Sequence, residues 1–231
     1  PDDSKFTISK KNKTDDNQTK EESTGKSRFK NYNLRDSWLK QNKSPGMISL
    51  ALIITSVAVY LLSGMGKNTE IVSAFLISEK ANGSLSEISS GQVWRIITPI
   101  FLHFGALHII FNMLWLYELG GQIEKRKGAG FISLFILVTA IVSNLTQFKF
   151  GGPMFGGMSG VVYGLLGYVW IKSRFDPGDG LYISQNTALF MLAWFFLCFA
   201  NVFPGVANWA HAGGLVTGAV WGYISAVRWN R

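Results

Sequence analysis

The sequence predicts an all-α fold: a polytopic bundle of six transmembrane helices behind a polar N-terminal tail. Three observations predict it. The 231 residues are 48% hydrophobic with a mean hydropathy of +0.19, yet residues 1–46 are polar and residues 47–227 carry repeated apolar runs. Six of those runs read as membrane spans, at roughly 47–65, 106–123, 130–148, 158–171, 187–203 and 207–227, the fourth of them short of a full crossing, so that its N-terminal end is expected below the membrane surface. Finally, Lys and Arg alternate between crowded and empty loops, as they do across a membrane.

Taken in order, residues 1–28 hold only Phe6 and Ile8 as large apolar side chains and bury too little to offset chain entropy, so disorder is expected. Phe29 to Lys40 reads as an amphipathic juxtamembrane segment or, equally, as a solvated linker whose Trp38 touches the interface. No cleavable signal peptide is expected before the first run. A loop over about 66–105 follows that run, with a short amphipathic piece at Ile71–Ile77 and an interfacial Trp94-Arg95 pair. Cys198, the only cysteine, is expected to be a buried small hydrophobe.

Charge sets the orientation. The N-terminal tail, the loops after spans 2 and 4, and a short C-terminal tail (228–231) carry eighteen of the 22 basic residues; the opposite side carries four. Both termini are therefore expected in the cytoplasm. This placement explains the net charge of +8 through membrane topology, with lipids as neighbours, and removes nucleic acid as the implied partner.

The polar residues inside the spans share a depth. Ser159 lies 13 residues from Lys172 and Asn112 lies 13 from Lys125, each about 20 Å above the cytoplasmic boundary. His108 and His211 lie 17 residues from Lys125 and Arg228, about 25 Å up. In a hydrocarbon core about 30 Å thick, three helices thus place four polar side chains in one layer near the outer surface. His108 and Asn112 stack at i,i+4, as do Ser159 and Tyr163. Gly160 and Gly164 make a small-residue face on span 4, and Gly214 and Gly218 make one beside His211 on span 6. Such faces let backbones approach closely.

A serine needs a base to act as a nucleophile, and histidine is the usual one. No carboxylate shares this depth, so Ser159 and His211 form a dyad, with the Ser159 N–H, His108 and Asn112 as available oxyanion donors. Tyr163 either stacks on His211 and orients it or simply packs. His103 fits a loop or rim role. The three histidines lack the carboxylate companions of a metal motif, so neither metal nor cofactor is expected.

These pieces resemble the rhomboid intramembrane serine proteases, and among them the bacterial GlpG branch. The resemblance rests on Trp94-Arg95, the run His103 to Asn112, Glu118-Leu-Gly-Gly-Gln-Ile-Glu124, Gly156-Gly157-Met-Ser-Gly160 with Tyr163, and Ala210-His-Ala-Gly-Gly214 with Gly218. It implies a six-helix protease domain over 47–227 that cleaves transmembrane protein substrates within or near the membrane of a bacterial inner membrane, opening to the periplasm. It implies Ser159 as nucleophile, His211 as base, and His108, Asn112 and the Ser159 amide as oxyanion hole. Span 5 and the loop near 202–208 are then gate and cap, with Trp194 and Phe195 as gate residues. Residues 1–46 are too short and polar to form the small folded cytoplasmic domain often found in that branch. Two competitors remain: a non-catalytic rhomboid-like binder or chaperone, which would lack Ser159 or His211, and a transporter, which would show inverted repeats or charges along a path.

Overall fold

A computed structural model describes residues 46–80, 84–200, 202–203 and 205–229, with side chains to residue 227. The expectations for residues 1–45 and for the end of the chain lie outside the described residues. Among the described residues the regular structure is entirely helical. It comprises α1 (Met47–Leu62), α2 (Thr69–Phe75), α3 (Ser86–Ser89), α4 (Ala106–Trp115), a π-helical turn (Leu116–Gly120), α5 (Gly121–Lys127), α6 (Ala129–Gly151), α7 (Ser159–Phe175), α8 (Gln185–Phe199) and α9 (Asn208–Trp229). Short 3-10 turns precede α4 and follow α7.

Each of the six apolar runs is helical, with ends a few residues from those expected. Among the described residues only α6 is by itself both long and apolar enough to cross a membrane; α1 and α8 are shorter apolar helices. Span 2 is α4, the π-turn and α5 in continuous succession, ended by Gly128 at a φ of 86°.

The bundle is built around α7. Residues 160–169 are all buried, and Val161, Leu165, Leu166, Tyr168 and Val169 have no exposed surface. The reason is residue size. A Cβ at Gly214 would lie 1.9 Å from the Gly160 carbonyl oxygen, and one at Gly218 would lie 1.9 Å from that of Gly164. The α7 and α9 backbones therefore touch directly, as small residues at i and i+4 permit. Helix α6 packs against the same glycines, with Thr139 and Ser143 facing Gly164 and Gly160.

Two polar ties hold the periphery. The Glu124 carboxylate accepts the Ile48 and Ser49 backbone N–H groups at 2.8 and 2.9 Å and the Ser49 hydroxyl at 2.8 Å, so α5 supplies the negative charge at the start of α1. Arg95 departs from the interfacial role expected for it. Trp94 is 53% exposed, but Arg95 is buried, and its guanidinium donates to Ser73 O, Leu76 O, Gln92 Oε1 and Glu79 Oε1. A planar five-donor group can gather four acceptors from separate stretches of one loop. The amphipathic piece of that loop is α2, capped by Asn68 through Glu70 N–H and Ile71 N–H, and its end meets Arg95.

Candidate active site

Ser159 is the first residue of α7, and the glycine-rich segment before it takes positive φ at Gly152 and Gly157, where glycine is favoured. Gly157 has a φ of 130°, and its N–H donates to Pro99 O at 2.9 Å. A Cβ here would lie 2.7 Å from His108 Nε2 and 3.7 Å from Ser159 Oγ. The missing side chain leaves open the space that His108 and Ser159 both face.

His211 lies in the first turn of α9, where the glycine seam with α7 carries it to Ser159. Its Nε2 is 2.9 Å from Ser159 Oγ. Its Nδ1 has no hydrogen-bond partner among the described residues. What faces the ring instead is Tyr163, with centroids 4.6 Å apart and planes at 38°. Tyr163 is itself held, since its hydroxyl donates to Met191 O on α8 at 3.1 Å. The tyrosine therefore does contact the imidazole, as a tilted ring pair.

Asn112 is buried one turn below His108, and its amide donates to the His108 carbonyl at 2.9 Å. One of its two amide hydrogens is thus engaged on its own helix. His103 is in a loop, as expected, but wholly buried rather than on a rim. Its Nδ1 lies 3.1 Å from Phe101 O, its Nε2 accepts the Met158 N–H at 3.4 Å, and its ring is 5.0 Å from that of His108. It supports both the loop before Ser159 and the face of His108.

The two expected gate residues part company. Phe195 packs edge-on against Tyr163 at 5.5 Å, whereas Trp194 is 42% exposed and stacks on Phe203 at 4.8 Å. Among the described residues no cluster of three or more His, Cys, Asp or Glu is arranged to hold a metal ion.

A family model described as the Rhomboid domain matches residues 90–228, more than half of the chain. The chain belongs to the rhomboid family. It is 34% identical over 190 residues to the rhomboid protease GlpG of Klebsiella pneumoniae strain 342, covering 82% of this chain and 66% of that one. It is 42% identical over 137 residues to the protein of the same name from Salmonella paratyphi A, covering 59% and 50%. The chain therefore spans between half and two thirds of the length of these relatives.

One contributor to the candidate site lies outside the residues that the sequence singles out. Gln147 on α6 accepts the Trp209 and Ala210 backbone N–H groups at 3.0 and 3.1 Å, so it caps α9 just ahead of His211. Thr139, Ser143 and Gln147 are spaced by four along one face of a largely apolar helix, and that polar ridge is the available signal.

Proposed function

We propose that the chain is a cofactor-free intramembrane serine endopeptidase that uses Ser159 and His211 to cleave transmembrane protein substrates. The observation that carries this reading is the 2.9 Å contact between Ser159 Oγ and His211 Nε2 at the start of a helix. The domain is residues 47–227, crossing a bacterial inner membrane six times with both termini cytoplasmic and the site opening to the periplasm. The basic residues concentrated on one side support that orientation.

His211 Nε2 takes the Ser159 proton as Oγ attacks the substrate carbonyl carbon. The oxyanion that develops has the Ser159 N–H, the His108 ring and the Asn112 amide as its donors, in the space left by Gly157. As the tetrahedral intermediate collapses, the C–N bond breaks and His211 returns the proton to the leaving amine. Water entering from the periplasmic side then attacks the acyl-enzyme, again giving its proton to His211, and the ester C–O bond breaks as His211 returns that proton to Ser159 Oγ and the acid product is released. The step needs no third acidic group: Tyr163 holds the imidazole by its face while Nδ1 is unpaired.

The test is labelling of the detergent-solubilised protein with a fluorophosphonate. Wild type is expected to label, and Ser159→Ala and His211→Ala are not. A folded wild type that does not label would favour a rhomboid that binds membrane proteins without cutting them.

A further inference from the structure

Below the site, on the cytoplasmic half of the molecule, a cavity of about 390 Å³ opens between span 2 and the start of α8. Its walls include Leu114 and Trp115 of α4, Glu118 of the π-turn, Gln122 of α5, Tyr182 before α8, and Thr187 on it. The lining is apolar apart from a few polar groups, most of which are already occupied. Gln122 accepts the Tyr182 N–H at 3.1 Å, and Ser184 and Thr187 bond one another at 2.7 Å. Glu118 differs: it makes no hydrogen bond or ion pair with a described residue.

The depth of this carboxylate makes it unusual. Glu118 precedes Lys125 by seven residues, which sets it about 10 Å inside the cytoplasmic boundary. Acidic side chains at such depth are costly, and they face a partner or a pathway. The side on which the cavity opens is thinly packed, since α8 buries only Ala188, Met191 and Cys198 among its fifteen residues.

We propose that Glu118 is a specificity-determining residue: it receives a lysine or arginine from the cytoplasmic half of a substrate helix lodged between span 2 and α8. This rests on the proteolytic reading above. The vertical separation gives the register. Ser159 lies about 20 Å above the boundary and Glu118 about 10 Å, a difference of six or seven helical residues at roughly 1.5 Å each. The selected basic residue therefore lies about that far from the cleaved bond, toward the substrate's cytoplasmic end. Apolar walls accept the aliphatic stem of such a side chain, while the carboxylate takes its head. A lipid amine is the other source of a cation, but headgroups sit at the boundary, about a helical turn or two away from this depth.

The experiment uses the full chain carrying Ser159→Ala in phosphatidylethanolamine–phosphatidylglycerol vesicles. It measures the binding of fluorescent single-span peptides with lysine or leucine at the seventh residue below the scissile position. The lysine peptide is expected to bind on the order of tenfold more tightly than the leucine peptide, as for a charge pair shielded from water. Glu118→Gln abolishes the difference, and Glu118→Lys transfers the preference to a glutamate peptide. Equal binding of the two peptides, or a lysine preference that survives Glu118→Gln, overturns the proposal. So does a Glu118 dependence that appears only with ethanolamine lipid and is indifferent to the peptide. Fluorophosphonate labelling of Ser159 in the Glu118→Gln single variant controls for folding. Loss of labelling in wild type sinks the proteolytic reading alone; intact labelling without a lysine preference sinks this one alone.

Discussion

Two faces of the central helix α7 are built from apolar residues and yet are packed in opposite ways. Toward α9, glycines bring the two backbones into contact at Gly160–Gly214 and Gly164–Gly218. Toward α8, large side chains do the packing, and most of α8 turns outward: Leu189, Phe190, Trp194, Phe196 and Leu197 are all exposed. In lipid, hydrocarbon side chains gain nothing by leaving a surrounding that is already apolar, so hydrophobicity does not draw helices together. Close fit does. Residue size, rather than hydropathy, thus separates a tight seam from a loose flank, and Ser159 and His211 both lie on the seam.

The largest break in that comparison comes from adding bulk to the seam. Gly218→Val would put a branched side chain where even a Cβ meets a backbone oxygen at 1.9 Å. The helices must move apart, at a cost of about 3 kcal/mol or more. We expect a clear loss of thermal stability in detergent together with loss of fluorophosphonate labelling. The matching change on the flank, Leu189→Val, should stay within about 0.5 kcal/mol and label normally. Equal effects at the two positions would remove the distinction between seam and flank.

Next in size is the cap that sets the start of α9. In Gln147→Ala the Trp209 and Ala210 N–H groups lose their acceptor, which should cost about 1–2 kcal/mol. His211 follows Ala210 directly, so slower labelling should accompany the lower melting temperature. Gln147→Glu keeps an acceptor oxygen and should recover most of both. Recovery of stability without recovery of labelling would mean that Gln147 does not act through the position of His211.

The seam was legible in the sequence and the supports of the site were not. Small residues at i,i+4 beside Ser159 and beside His211 announce which helices meet, because few other arrangements let backbones touch in a bilayer. The charged markers at the helix ends gave a common depth for Ser159, His108, Asn112 and His211, and the structure brings Ser159 to His211 and His108 to Gly157. Arg95 was misjudged because a basic residue next to an exposed tryptophan has the pattern of an interface anchor. Its burial depends on carbonyls from residues 73 and 76, which no periodicity within 94–95 encodes. The burial of His103 in its loop and the role of Gln147 escape sequence patterning for a related reason: each acts on backbone groups distant in sequence, at Met158 and at Trp209–Ala210.

On the flank, Trp194→Ala removes the stack on Phe203. An aromatic pair of this kind is worth about 0.5–1.5 kcal/mol, and less where one ring is largely exposed. Melting temperature should therefore hardly change, while labelling should be unchanged or faster, since the contact ties α8 to the loop before α9. Slower labelling would place Trp194 with the supports of the site rather than with its access.

The smallest expected effect lies outside both faces, in the loop that precedes span 2. The Glu87 carboxylate is held below its ordinary value of 4.5, first by its own backbone N–H, then by the Glu79 N–H and the Ser78 and Ser86 hydroxyls, with burial opposing them. A carboxylate whose value is lowered by folding stabilises the folded loop above its unfolded value, and that contribution is lost as pH falls through the lowered one. Acidification just below about 4.5 should thus loosen the Ser78–Glu87 region while the α7–α9 seam, whose close backbone contacts at Gly160–Gly214 and Gly164–Gly218 involve no carboxylate, stays protected. Hydrogen exchange, corrected for the intrinsic pH dependence of amide exchange, reads both regions in one experiment. The Glu79 amide should lose protection in wild type on acidification, and in Glu87→Gln it should be less protected and indifferent to pH. If the variant follows the same acid profile as wild type, Glu87 is not the group that titrates; if the seam opens in parallel with the loop, the two are not independently stable.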